Sequence, residues 1–170
     1  MLYNLTKHGN RKVIFILGKG QLLNQSIVSK KPNALFCEAV CPVKVIEIAE
    51  EQFLQLMEQS HALTRAVLRE YERNLWRMGH QLKNTTGNMQ MERKIAAKLW
   101  KLGRDFGVDT EDGVMIDIDL TITLMADLVG APRENVSRAC KVLTDRGLIR
   151  YGNKRFILTD SDGLAEFYKM

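Results

Sequence analysis

The chain has 170 residues, 45% hydrophobic and 26% charged, and its 25 Lys and Arg against 20 Asp and Glu leave a formal net charge of +5. That length supports two small domains sharing an interface. No apolar run approaches the roughly 20 residues a bilayer crossing needs, and no signal-peptide pattern opens the chain, so a cytoplasmic protein with no membrane partner is expected.

Val13–Leu17 and Val43–Ile48 are short apolar runs. From His61 to Thr85 there is no proline, and Gly79 is the one glycine. Leu68, Tyr71, Leu75, Met78 and Leu82 recur there at steps of three and four, the a/d seam of a coiled coil. The spacing predicts one long helix that pairs with a second copy, with Ala62, Ala66, Val67 and Trp76 on a second, inward side. Asn84–Asn88 is a polar break, read as a hinge. A helix over 90–107 follows, burying Ile95, Leu99, Leu102 and Phe106, and Val114–Leu120 alternates as a strand whose solvated face carries Asp117 and Asp119.

Residues 121–149 carry the most specific pattern. Thr121 is a good helix N-cap, and Ile122, Met125, Leu128 and Val129 follow at helical spacing. Ala126 is small where two helices cross, Gly130 suits a turn with positive φ, and Pro132 fits the start of a second helix. That helix, 133–144, buries Val136, Ala139, Val142 and Leu143 and turns Arg133, Glu134, Ser137, Arg138 and Lys141 outward. After Gly147, two β-rich runs flank Gly152-Asn153 and read as a hairpin, a wing that offers Lys154 and Arg155 to a DNA backbone. Residues 133–155 hold seven Lys and Arg against two acids, an excess of +5 equal to that of the whole chain. Localised positive charge beside a polar-fronted helix is an electrostatic footprint for double-stranded DNA.

Leu-Val-Gly-Ala-Pro-Arg-Glu-Asn-Val-Ser-Arg, followed by Leu-Thr-Asp-Arg-Gly-Leu-Ile, resembles the DNA-binding domain of the cyclic-AMP receptor protein and fumarate–nitrate reduction regulator (CRP/FNR) family. Glu-x-x-Ser-Arg is similar to the fumarate–nitrate branch. The resemblance implies a homodimeric transcription regulator that reads a palindromic, TTGA-like operator through Glu134, Ser137 and Arg138, with Arg133 beside them and RNA polymerase as a partner. Arg138 suits guanine O6 and N7, Glu134 cytosine N4, and Ser137 a thymine edge.

Upstream, Gly9–Gly20 looks like a hairpin exit and strand of the family's effector-binding β-roll, Ala34–Ile48 like its closing strands, and Glu50 like the start of the short helix after them. The implied fold is α+β: a partial, cyclic-nucleotide-binding-like β-roll (a double-stranded β-helix) over 1–58, a dimerisation helix and hinge over 59–86, and a winged helix-turn-helix over 87–170. The family carries further strands ahead of the first one matched, so Met1 is expected to open partway through the roll.

The resemblance does not extend to the cyclic-AMP contacts. Gln25 stands for the acid of the family's Gly-Glu pair, and Asn33-Ala34 for its Arg-Ser pair, so cyclic AMP is not expected, although Lys30 and Lys31 could attract an anion. The effector is left unassigned. The family's N-terminal iron–sulfur cysteines have no counterpart, His8, His61 and His80 share no metal spacing, and no metal or cluster is expected. Cys37 and Cys41 read as small buried or edge cysteines, and Cys140 as buried. No nucleotide-binding loop, catalytic triad or carboxylate pair argues for an enzyme. The alternative function is a truncated ligand-sensing or interaction partner that heterodimerises with a full-length homologue.

Overall fold

The computed structural model describes all residues except His8, Gln25, Lys30, Thr86–Asn88 and Met170, and leaves the side chains of residues 82–85 undescribed. Most of the expected hinge, the Leu82 side chain of the seam, and Lys30 of the expected anion-attracting pair therefore lie outside the described residues.

The chain opens with β1 (Leu2–Leu5), β2 (Arg11–Phe15) and β3 (Phe36–Cys37), an antiparallel sheet in the order β2-β1-β3. β3 pairs with β1 only at Tyr3–Phe36 and Leu2–Cys37. Past Cys37 the pairing continues only at Glu38, whose N–H donates to Met1 O at 3.0 Å and whose carbonyl accepts from Met1 N at 2.6 Å, and no strand among the described residues pairs with the segment beyond it. The expected closing strand over Val43–Ile48 is therefore not formed: a strand needs a ladder, and this segment runs exposed, with Ile46 91% accessible.

Two helices follow, α1 (Glu50–Gln59) and α2 (His61–Thr85). The Ser60 hydroxyl between them accepts from Leu63 N at 3.2 Å and starts α2. The face of α2 turned toward the sheet carries Leu63, Thr64, Val67, Glu70, Asn74 and Arg77, an i, i+3, i+4, i+7 stripe. Of the residues expected to face inward, Val67 is buried, but Ala62, Ala66 and Trp76 are exposed. The inward stripe is largely polar, so hydrophobicity alone misplaces it.

The remainder forms one helical and β layer around a shared core: α3 (Met91–Phe106), β4 (Gly107–Thr110), β5 (Gly113–Ile116), α4 (Ile122–Val129), α5 (Arg133–Asp145), β6 (Ile149–Gly152), β7 (Arg155–Leu158) and α6 (Ser161–Lys169). The sheet is antiparallel in the order β4-β5-β7-β6. Strand β5 ends at Ile116 rather than Leu120, because β7 pairs with it only at Val114 and Met115, and Asp117 N instead donates to Phe106 O at 2.9 Å.

Ile95 and Leu99 of α3, Met125 of α4, Val136 and Leu143 of α5 and Phe156 of β7 are fully buried together. Truncating one such side chain to alanine in a packed core costs about 2–5 kcal/mol. Met1, Val13 and Ile16 join the same cluster. β2 also meets α4 through polar contacts: Arg11 pairs with Asp127 at 3.8 Å, and Lys12 Nζ donates to Leu128 O at 3.4 Å.

Candidate DNA-binding surface

The approach to α5 is built as the sequence predicts. Thr121 Oγ1 accepts from Leu124 N at 3.0 Å and caps α4. Gly130 ends α4 at φ +70°, with its N–H on Ala126 O at 2.8 Å. An L side chain is disfavoured in that left-handed conformation, which is why glycine stands there. Pro132 precedes α5 at φ −56°.

Val136, Ala139, Cys140 and Leu143 seat α5 on the core. Val142, expected in that stripe, is 37% exposed, and Cys140 takes its place. Positions 136, 139, 140 and 143 make one i, i+3, i+4, i+7 row, and 142 lies off it. Burial pushes the Cys140 thiol up to about 11. Arg133, Glu134, Ser137, Arg138 and Lys141 are all exposed on the opposite face. Arg138 Nη2 donates to Asn135 Oδ1 at 2.6 Å, one helical turn back.

The wing forms, with its turn one residue later than expected. Gly152 pairs with Arg155, so Asn153 and Lys154 are the two turn residues, at φ +50° and +60°. Positive φ at both positions is the two-residue hairpin turn that matches strand twist. The register is fixed by what must be buried: Ile149, Phe156 and Leu158 point inward, and a one-residue slip would turn them to solvent. Lys154 is exposed at the tip, and its carbonyl accepts from Leu120 N at 2.7 Å.

Arg155 is less free than the sequence suggests. Its guanidinium is paired with Asp117, and its Nη2 lies 3.7 Å from Asp119. Arg150 on β6 is likewise paired with Asp112 in the β4–β5 turn. Adding these three carboxylates to the 133–155 window lowers its excess from +5 to +2. A count along the chain cannot see acids that the fold brings alongside.

On α2, three members of the expected seam are open to solvent: Leu68 at 57%, Leu75 at 68% and Met78 at 45% accessible. Tyr71 is half-buried. Beneath α2, a cavity of about 350 Å³ is lined by Leu2, Ile14, Phe15, Leu22, Asn24, Ala34, Leu35, Glu70, Tyr71, Asn74, Leu75 and Met78. Arg77 of α2 reaches Asp105 of α3 at 3.3 Å, and Gln81 Nε2 donates to Ile14 O at 2.9 Å. Nearby, Lys98 of α3 has its pKa pushed down to about 8 by burial and then by the charges of Lys12 and Arg77. Cys37, on the edge strand, and Cys41 are free and exposed, whereas Cys140 is buried.

Residues 93–167 match the Crp-like helix-turn-helix domain. Along most of its length the chain is 25% identical to the CRP-like cAMP-activated global transcriptional regulator of Mycobacterium tuberculosis, over 158 residues covering 92% of this chain and 70% of that protein. Residues 93–167 thus carry a Crp-like helix-turn-helix domain, and the chain as a whole is similar to CRP-like regulators. A global nitrogen regulator from Nostoc is 26% identical over 132 residues, 76% of this chain and 59% of its own length. A CRP/FNR-family transcriptional regulator from Thermus thermophilus shares the fold at TM-score 0.78 and 20% identity, covering 99% of this chain and 82% of that one. The chain therefore carries a Crp-like helix-turn-helix and shares its fold with solved CRP/FNR-family regulators. None of the described helices is long and apolar enough to cross a membrane.

Sequence reasoning missed β4 and α6. For α6 a signal exists: Asp160 Oδ1 accepts from Gly163 N at 2.8 Å, an N-cap ahead of Leu164 and Ala165, which are buried.

Proposed function

We propose that this chain is a CRP/FNR-type regulator that binds a palindromic, TTGA-like operator as a homodimer, inserting α5 into the major groove. The observation that carries the reading is the polar front of α5, Arg133, Glu134, Ser137, Arg138 and Lys141, all exposed on a helix whose other face is seated in the core. Arg138 reads guanine, Glu134 cytosine and Ser137 a thymine edge, while Thr121 at the N-terminus of α4 and Lys154 at the wing tip meet phosphates, and Arg155 beside it is engaged by Asp117 and Asp119. The exposed Leu68, Leu75 and Met78, with Tyr71 and Leu82 in the same heptad pattern, supply the dimer seam. Two copies related by a two-fold axis set two reading helices one DNA turn apart.

In this reading residues 1–58 are the effector-type roll, 59–86 the dimer helix and hinge, and 87–170 the DNA-binding domain, with RNA polymerase as the partner at the promoter. The cavity beneath α2 has an apolar lining with the Glu70 carboxylate in it, which disfavours a phosphodiester such as cyclic AMP. The alternative, a partner that silences a longer homologue, has no observation in its favour.

Fluorescence anisotropy on a duplex carrying a TTGA-type palindrome and on a shuffled duplex tests the proposal. The palindrome is expected to bind more tightly, and Arg138→Ala to weaken it by about 1–3 kcal/mol while relaxing the guanine position. Equal affinity for the two duplexes would overturn sequence-specific reading.

A further inference from the structure

The wing of a helix-turn-helix protein ordinarily adds phosphate contacts, yet here the wing cation Arg155 is already engaged. Arg155 lies at the start of β7, next to the turn at Asn153 and Lys154. Both carboxylates that hold it come from one short segment between β5 and the N-cap of α4. That segment is fastened at both ends, by Asp117 N on Phe106 O at 2.9 Å and by Leu120 N on Lys154 O at 2.7 Å. Asp117 and Asp119 are half-exposed, at 55% and 51% of their side-chain surface, so their charge is open to solvent beside the wing turn.

We infer that Asp117 and Asp119 form an electrostatic brake on the wing: they hold Arg155 off the phosphates and lower affinity for DNA of any sequence, leaving discrimination to α5. This rests on the DNA-binding reading above. Two carboxylates around one guanidinium leave the cluster with a net charge of −1, which repels a phosphate backbone. With the carboxylates neutralised, the same site would present +1. Phosphate contacts carry no sequence information, so a brake placed on one of them suppresses binding to random DNA in proportion to its effect on the operator. Exposed ion pairs are individually weak. The effect sought is therefore a change in charge where a polyanion docks, and not in the stability of the fold.

The test is a salt series of anisotropy titrations on the palindromic and shuffled duplexes. It compares the full chain with Asp117→Asn/Asp119→Asn, Arg155→Gln, and the triple variant. The double Asn variant is expected to bind both duplexes about tenfold more tightly near 100 mM salt, with a log–log salt slope steeper by about one. Arg155→Gln alone, which takes the cluster from −1 to −2, is expected to weaken both duplexes by about two- to threefold, and the triple variant, at zero, to keep no more than about half of the gain on a logarithmic scale. Thermal melts of each variant, with the single Asp119→Asn as a milder change, separate misfolding from loss of the brake. If the double variant, folded, binds no more tightly, the brake is refuted. It is equally refuted if the full gain survives removal of Arg155. If the unmodified chain binds neither duplex, the DNA-binding reading itself fails.

Discussion

The carbonyl of Lys154 accepts a hydrogen bond from the backbone N–H of Leu120 at 2.7 Å, so the tip of the wing is tied to the residue just before the N-cap of α4. Lys154 does this at φ +60°, in the left-handed region. A non-glycine residue there costs about 1 kcal/mol or more. Lys154→Gly is therefore expected to stabilise the fold by up to about 1 kcal/mol in urea unfolding, while weakening DNA binding through loss of a cation. A gain in stability with unchanged affinity would remove Lys154 from the DNA contact.

Thr121 serves α4 as a cap and is proposed to sit near a phosphate. Thr121→Ala is expected to cost about 1 kcal/mol of unfolding free energy, and Thr121→Ser to cost far less, because a serine hydroxyl can still accept from Leu124 N. Denaturant titration of the pair checks this. Equal losses would assign the effect to the threonine methyl group rather than to the cap.

The open leucines of α2 separate assembly from folding. Leu68→Glu combined with Leu75→Glu is expected to shift the protein from dimer to monomer in light scattering, with little change in helical content, since both side chains are solvent-exposed within one chain. Loss of helix in the monomeric fraction would show that α2 needs its partner to fold.

Lys98 gives stability a pH dependence of definite sign. In the unfolded chain its ammonium titrates near 10.5, and in the folded protein near 8. Between these values the unfolded state holds more protons, so stability rises with pH, and the full cost of the buried charge is present below pH 8. The Cys140 thiol, held up near 11 from an ordinary 9, contributes the opposite slope above pH 9. The quantity to measure is therefore a difference. Lys98→Met is expected to melt higher than the parent at pH 7, and that advantage to shrink by pH 9.5. An advantage independent of pH would show that Lys98 is not strained by its charge.

The α-helical parts of this fold are the most readable from sequence. The bounds of α2, the Thr121 cap, the positive φ at Gly130 and the buried row of α5 follow from local pattern, because cap chemistry and a 3.6-residue period act within a few residues. Val142 lies a single position off that period. The exposed polar face of α5 is legible for the same reason. What is not legible depends on partners distant in sequence. The Val43–Ile48 run has strand composition, but no neighbouring strand among the described residues pairs with it. Trp76 has the size and hydrophobicity of a core residue, yet the sheet-facing stripe of α2 is filled by Glu70, Asn74 and Arg77. The pairing of Arg155 with Asp117 spans 38 residues and leaves no mark in the charge pattern of the wing.

Cys140 lies on the buried face of α5, and the burial that pushes its pKa up to about 11 keeps the thiol protonated at pH 7. Alkylating reagents would therefore sort the three sulfurs by depth, marking Cys37 and Cys41 in the native protein and reaching Cys140 only when α5 lifts from its seat. The chain carries its own clock for that opening: the rate at which the third label arrives reports how often the helix leaves the body of the protein.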